Sequence, residues 1–244
     1  MTAPGPRGRP RRAPTGEVAA FLDRLAAPRA AGADGVLAEL RRVILAGDAP
    51  PGLTIPAEDV AAVFGVSVIP VREALKTLVG EGLVEHRTRG AYRVARLTRA
   101  ELVELYVVRG TLEQAALASS TVRATPADHA LARERHDGLD RALRADDGRA
   151  YHRGSRLFHI ALVEPSGMRR LQAMLEAAWN LTEPYQLMSH VGPAEREALH
   201  DEHRGMLAAF TAGRTAELLV CAAAHHDHLR RVLVDLEEWP ACGS

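Results

Sequence analysis

Apolar residues recur at helical spacing in three short stretches between positions 34 and 82. Thr54 and Pro56 are expected to begin the second of these helices, and Ser67 the third, because these residue types favour the first turn of a helix. The apolar positions are Leu37, Leu40, Val43 and Ile44 in the first stretch, Val60 and Phe64 in the second, and Val71, Ala74, Leu75 and Leu78 in the third.

Two β-like runs follow the third helix, at 83–86 and 91–95, and the turn between them contains Gly90. Three helices, of which the last two are joined by a tight turn, and then a hairpin are typical of a winged helix-turn-helix. The pattern therefore predicts such a domain over residues 34–96.

The second half of the chain shows helical periodicity alone. From Thr98 onward apolar stripes repeat, and breakers such as Pro126, Gly148 and Pro184 separate them. The fold class expected is mainly α, with an N-terminal winged helix-turn-helix followed by an all-helical bundle of six or more helices over 97–238. Residues 239–244 are expected to form a short tail.

The first 33 residues differ from the rest in composition. Eleven of the first sixteen are Pro, Gly or Arg, a composition that does not form a core. We expect a flexible basic arm over 1–33, with some helical tendency near its end. Either a solvated tail or an arm that contacts phosphates fits this segment.

Charge and cysteine content exclude several classes of protein. Lys plus Arg equals Asp plus Glu at 31 each, so a nucleic-acid partner must be bound by a local patch. The two cysteines, Cys221 and Cys242, form neither a disulfide framework nor a CxxC motif, which fits a reducing cytoplasm. No stretch of about 18 apolar residues is free of charge, so neither secretion nor a membrane partner is expected.

The predicted recognition helix and wing carry the polar groups that read DNA. A helix in the major groove needs exposed polar side chains, with cations beside it for phosphates. Each residue alone is equally well explained as a solvated surface group, but together they cluster on two neighbouring elements. The candidate DNA-binding residues are Ser67, Arg72, Lys76, Thr77, Arg87, Arg89 and Gly90.

This half resembles the DNA-binding domain of the GntR family of bacterial transcription regulators. The resemblance implies that Arg72 contacts the operator and that Gly90 approaches the minor groove. Val68 and Ile69 stand where the family usually has Arg and Thr, so the operator sequence does not carry over. The residues that carry the resemblance are Gly47, Pro51-Gly52, Gly65-Val66-Ser67, Pro70-Val71-Arg72-Glu73-Ala74-Leu75, Leu78, Glu81-Gly82-Leu83-Val84 and Arg89-Gly90.

Three histidines lie on the inward stripes of separate predicted helices: His159, His203 and His225. Such a histidine is usually a core residue, but three in one bundle suit a metal such as Zn or Ni. We expect His200, His226 and His228 at the surface, and His152 on the same face as His159.

Residues 98–238 resemble the FCD effector domain of the FadR-like branch, beginning with Val108-Arg109-Gly110-Thr111-Leu112-Glu113. The resemblance implies a divalent metal held by one Asp and three His, which helps to bind a small carboxylate. Ser155 stands four residues before His159, where metal-binding members have Asp. A metal site formed by the three histidines alone is still possible, with the fourth coordination position of the metal free for water or an effector.

Arg109 is the candidate carboxylate clamp, since it lies on the apolar stripe of its helix. The alternative is a buried ion pair of Arg109 with Glu113 or with an acid on a neighbouring helix. Ser155, Thr182 and Tyr185 are candidates to line the same effector pocket.

These patterns favour a ligand-responsive repressor that binds double-stranded operator DNA as a homodimer. A metal-free regulator that binds an organic ligand directly is the first alternative. A metalloenzyme built on the three histidines is the second, but the sequence lacks HExxH, Walker, GxGxxG and nucleophile-elbow motifs. The chain is therefore not expected to be an enzyme.

Overall fold

The computed structural model describes residues 16–26, 32–87 and 91–236, and its N-terminal domain is a winged helix-turn-helix. Gly65, at φ +64°, ends α3 and makes the tight turn before the recognition helix α4. The elements are α1 (Glu17–Arg24), α2 (Gly32–Leu45), β1 (Thr54–Ile55), α3 (Ala57–Phe64), α4 (Val68–Gly80), β2 (Val84–Arg87) and β3 (Ala91–Val94).

The wing is a three-stranded antiparallel sheet in the order β1-β3-β2, one strand more than the predicted hairpin. Thr54 pairs with Arg93 and Ile55 with Tyr92. The prediction that Thr54 and Pro56 begin a helix is therefore wrong for Thr54, which lies in β1, while Pro56 is the residue just before α3. Ile55 is buried, and its burial explains why this segment joins the sheet.

The end of the predicted arm is folded. Helix α1 buries Phe21 completely and Leu22 almost completely in the core that the winged helix forms. The flexible arm predicted over 1–33 is therefore wrong for residues 17–24, because two apolar side chains anchor them. Residues 1–15 and 27–31, Arg89 and Gly90 at the wing tip, and the predicted tail 239–244 lie outside the described residues.

The second domain is the predicted all-helical bundle. Thr98 and Thr125 cap α5 and α6 through capping boxes with Glu101 and Asp128. None of the described helices is both long and apolar enough to cross a membrane. The helices are α5 (Arg99–Arg123), α6 (Pro126–Arg144), α7 (Gly148–Val163), α8 (Arg169–Thr182), α9 (Pro193–Thr211) and α10 (Thr215–Asp235), with 3₁₀ turns at Glu164–Ser166, Glu183–Tyr185 and Leu187–Ser189.

The two domains meet at the segment that follows α8. Gln186, in the left-handed conformation at φ 45°, donates from Nε2 to the carbonyl of Leu45 at the end of α2. The hydroxyl of Tyr185 accepts a hydrogen bond from the backbone N–H of Leu97, in the linker. This short segment therefore contacts both the DNA-binding domain and the linker.

Candidate functional site

Helix α4 packs one face against the core and presents the other to solvent. Val71, Leu75 and Leu78 are fully buried. Ser67 stands at the N-cap position, but its side chain makes no capping bond and is exposed. Four of the predicted DNA-binding residues therefore share one exposed face: Ser67, Arg72, Lys76 and Thr77.

The three described cations among the predicted DNA-binding residues are each paired with an acid. Arg72 lies 2.8 Å from Glu58, and Lys76 lies 2.9 Å from Glu73. On β2, Arg87 lies 2.5 Å from the neighbouring Glu85. Exposed pairs of this kind contribute little to stability, so the cations can exchange their acids for DNA phosphates.

The three histidines predicted from the stripes converge in the core of the bundle. His159 lies on α7, His203 on α9 and His225 on α10, and each is 1% exposed. The Nε2 atoms of His159 and His203 are 3.1 Å apart. One ring nitrogen from each of the three histidines lies within 4.8 Å of the others.

The outward-facing nitrogen of each ring is held by a partner. His159 Nδ1 donates to Glu113 at 2.5 Å, and His225 Nδ1 donates to Glu202 at 2.8 Å. His203 Nδ1 lies 3.1 Å from the hydroxyl of Tyr151. Metal-bound histidines are oriented in this way, by a second partner on the other ring nitrogen.

The donor set fits a metal ion. The Nε2 atom of His225 is buried and has no hydrogen-bond partner among the described residues, which leaves its lone pair for a ligand. Nitrogens bound to one tetrahedral zinc ion stand about 3.3 Å apart, close to the separation between His159 and His203. Burial and neighbouring imidazoles hold the pKa of His203 and of His225 well below its usual value, so both are neutral. Ser155 is half-buried one turn before His159 on α7.

Glu113 connects this cluster to a fourth histidine. Its carboxylate is 0% exposed and also accepts from His226 Nε2 at 3.1 Å. Burial alone would raise the pKa of Glu113, but His159 and His226 hold it well below its usual value. The predicted surface positions of His200 and His226 are therefore wrong, since both are buried.

Arg109 forms a second polar cluster in the same core. It is 1% exposed and lies across the ring of Trp179, with Cζ 3.2 Å from the ring centre. One guanidinium nitrogen donates to the Thr182 hydroxyl at 3.1 Å. Arg109 and Thr182, both predicted to lie at the effector pocket, are therefore in contact. Arg109 does not form the alternative ion pair with Glu113, because both carboxylate oxygens of Glu113 accept hydrogen bonds from histidines.

Glu183 and His152 belong to this second cluster, and sequence reasoning missed Glu183. His152 Nε2 lies 3.6 Å from the Glu183 carboxylate. Burial raises the pKa of Glu183 to about 7, while burial and nearby arginines lower the pKa of His152 to about 3. Four buried atoms here lack a hydrogen-bond partner in the described structure: Arg109 Nε, His152 Nε2, Trp179 Nε1 and Glu183 Oε1.

A cavity of about 230 Å³ opens beside the first cluster. Its wall includes His226 on α10 and Gly110 on α5. A ligand in this cavity would lie next to the pair formed by His226 and Glu113. Tyr185, predicted to line the effector pocket, contacts the domain linker through its hydroxyl.

Two family models account for most of the chain. The model described as "FCD domain" matches residues 104–232, and the model described as "Bacterial regulatory proteins, gntR family" matches residues 33–94. The chain belongs to the GntR family. The resemblance drawn from the sequence motifs and the predicted fold class are thereby confirmed. Members of the GntR family are DNA-binding transcription regulators and not enzymes, and the same holds for this chain.

Several GntR regulators are similar to the chain over much of its length. It is 30% identical over 168 residues to the HTH-type transcriptional regulator McbR of Escherichia coli, and the aligned region covers 68% of the chain and 76% of McbR. It is 27% identical over 205 residues to the uncharacterized regulator YdhC of Bacillus subtilis, covering 82% of the chain and 92% of YdhC. The HTH-type transcriptional repressor GlaR of E. coli is 27% identical over 190 residues, covering 72% and 84%.

A solved GntR structure shows the same fold. The structure of E. coli McbR superposes with a TM-score of 0.76 at 26% identity, covering 86% of the chain and all of McbR. The arrangement of a winged helix followed by a helical bundle is therefore shared with a known regulator.

Proposed function

We propose that the chain is a homodimeric repressor that binds double-stranded operator DNA, holds a divalent metal in its helical domain and responds to a small carboxylate. The observation that carries the proposal is the convergence of three buried imidazoles in the helical bundle of a chain that also has a DNA-binding domain. Two winged helices in a dimer match two half-sites of a palindrome. The relative GlaR is named a transcriptional repressor, which supports repression and not activation as the direction of regulation.

His159, His203 and His225 would hold the metal, with Zn or Ni as the ions that imidazole suits. All three ligands are neutral, because Ser155 replaces the carboxylate that the family resemblance implies at that position. The charge of the ion is then not offset by a ligand, and it attracts an anionic effector more strongly. The bound metal would act as a Lewis acid toward the effector carboxylate.

Arg109 would be the second contact for the carboxylate. Its guanidinium is buried and stacked on Trp179, and its Nε has no hydrogen-bond partner among the described residues. An arginine with an unused N–H is suited to a carboxylate. Thr182 would hold the guanidinium in place.

The segment that contains Glu183 and Gln186 would transmit the response. Glu183 lies in the cluster around Arg109, and three residues later Gln186 donates to the end of α2. An effector that displaces Glu183 would shift the position of α2 and hence of the winged helix. Tyr185, between them, would act in this transmission and not in the pocket itself.

A metal-free regulator is the second candidate function. It is favoured by the four unpartnered buried atoms around Arg109 and His152, which could bind an organic ligand directly. Under this proposal the three histidines would contribute hydrogen bonds alone.

Metal content separates the two candidates. Tag-free protein, purified without chelator, is compared with His159→Ala by elemental analysis. We expect the variant to lose about one ion per chain relative to the wild type. An equal content in the two proteins, even after addition of Zn²⁺ or Ni²⁺, would contradict the three-histidine site.

The effector response is tested on the same proteins. The probe is a panel of small mono- and dicarboxylates, scored by release of a duplex that the wild type selects from a random-sequence pool. We expect release from metal-loaded wild type but not from His159→Ala, while DNA binding without ligand is unchanged. Release from metal-stripped wild type would favour the metal-free regulator.

A further inference from the structure

A second group of metal-ligating side chains lies on the other side of Tyr151 from the three-histidine cluster. His136 and Asp140 are one turn apart on α6, and His200 faces them from α9. One ligand atom from each lies within 4.8 Å of the others. His200 Nε2 donates to Asp140 Oδ1 at 2.8 Å, and the rings of His136 and His200 are stacked at 4.6 Å.

One ring nitrogen of His136 makes no hydrogen bond within the described part of the chain. The side chain is 5% exposed, and its Nε2 has no hydrogen-bond partner among the described residues. A buried polar atom without a partner is destabilising, so such atoms are rare unless a ligand or water binds them. The Asp140 side chain is 33% exposed, which gives an ion a path from solvent.

Tyr151 connects this group to the first cluster. Its hydroxyl lies 3.4 Å from His200 Nδ1 and 3.1 Å from His203 Nδ1. A neutral histidine that binds metal through Nε2 carries its proton on Nδ1 and needs an acceptor there. With metal bound at Nε2, the proton of His200 would lie on Nδ1 instead of Nε2, and the oxygen of Tyr151 could accept from both rings, so the two groups would share one outer partner.

We propose that His136, Asp140 and His200 form a second divalent-metal site, separate from His159, His203 and His225. Two imidazoles and one carboxylate suit Zn²⁺, Ni²⁺, Mn²⁺ or Fe²⁺. Of the three side chains, Asp140 alone is partly exposed, so the site would be reached from its side. It goes beyond the proposed function, since it does not depend on the three-histidine site or on an effector.

The test is the stoichiometry of Zn²⁺ binding to the full chain. Chelator-stripped protein is titrated with Zn²⁺ alone by calorimetry, and the bound metal is counted by elemental analysis. Wild type is compared with Asp140→Asn, with His225→Gln and with the double variant. Asparagine keeps the size and the hydrogen bond to His200, and Asp137→Asn, on the exposed side of α6, is the matched control.

We expect about two ions per wild-type chain and about one in each single variant. The double variant should bind none, and Asp137→Asn should match the wild type. Asp140→Asn should weaken the second site at least about 100-fold, since even outer partners of metal ligands contribute 10- to 100-fold. Circular dichroism shows whether each variant is folded.

Unchanged stoichiometry and affinity in Asp140→Asn would overturn this proposal. One ion in the wild type, lost in Asp140→Asn but kept in His225→Gln, would instead overturn the three-histidine site and leave this one standing. Wild type that binds no Zn²⁺ would overturn both.

Discussion

The two domains place their polar side chains in opposite ways. Among the described residues, every buried polar or charged side chain lies between Arg109 and His226, in the helical domain. The core of the winged helix is apolar throughout the part that the structure describes, and its charged groups lie on the surface. The DNA-binding domain thus meets its partner with solvated groups, whereas the helical domain keeps its polar groups inside.

This difference reflects the two kinds of ligand. DNA is a long polyanion, so exposed cations that exchange one acid for a phosphate are sufficient. A small molecule or an ion provides few contacts, and a buried site in a low dielectric makes each contact stronger. The helical domain therefore tolerates several unpartnered buried atoms, such as Arg109 Nε and His225 Nε2, at a cost in stability.

The largest expected effect concerns the exposed DNA-binding surface of the winged helix. Arg72→Ala should weaken binding to a selected operator by at least about 30-fold, because each arginine at a base contributes about 1 to 3 kcal/mol and the proposed dimer has two copies. Fluorescence anisotropy at fixed salt measures the loss. The fold should be unaffected, since the Arg72 side chain is 53% exposed and its pair with Glu58 contributes little.

Arg204→Ala is the matched control for this variant. Arg204 is equally exposed and paired, with Asp201, but lies in the helical domain. Its removal should leave operator binding unchanged. Equal losses in the two variants would contradict a specific role for Arg72.

The winged helix was largely predictable from sequence because its signals are local. Apolar stripes, glycines at turns and alternating strands each span a few residues. Two elements of this domain were not predicted. Helix α1 lies in a segment rich in Pro, Gly and Arg, where a few apolar residues, among them Phe21 and Leu22, mark a core contact. Strand β1 has two residues, Thr54 and Ile55, too few to show alternation.

The helical domain was harder because its site depends on side chains brought together from distant helices. His159, His203 and His225 were found because each lies on an apolar stripe. His200 and His226 were predicted at the surface, but α9 packs against both α6 and α10, and α10 packs against both α5 and α9, so these helices are covered on more than one side. Glu183 lies in a 3₁₀ turn and has no periodic signal, so only the tertiary structure shows its burial.

The second prediction concerns a buried acid of the helical domain. Glu183 has a pKa of about 7 when folded and ionises near 4.5 when unfolded, so the unfolded state releases its proton first as pH rises. Its contribution to stability therefore falls between about pH 5 and pH 8. Glu183→Gln cannot ionise, and relative to wild type it should gain about 2 kcal/mol over that range.

Urea unfolding at pH 5 and pH 8 measures this difference. Glu176→Gln is the control, because the Glu176 side chain on α8 is 66% exposed. Its stability relative to wild type should not depend on pH. A Glu183→Gln difference that is the same at both pH values would show that Glu183 is ionised throughout.

The smallest effect expected is at the contact between the two domains. Gly47 has φ +72°, and a Cβ there would lie 2.4 Å from Cγ of Gln186. Gly47→Ala should therefore cost about 1 kcal/mol for the left-handed backbone and about 1 kcal/mol more for the clash. In a Gln186→Ala background the clash is gone, and only the backbone cost should remain. A double-mutant cycle by urea unfolding should give a coupling energy of about 1 kcal/mol.

Gly65→Ala provides the control, because Gly65 has a similar φ of +64° with open space around its Cβ. Its cost should be the same with and without Gln186. A coupling energy of zero between Gly47 and Gln186 would mean that the helical domain does not rest on α2 in solution. The route from Glu183 through Gln186 to the winged helix would then be lost, while the metal sites and the DNA-binding surface, which do not use this contact, would be unaffected.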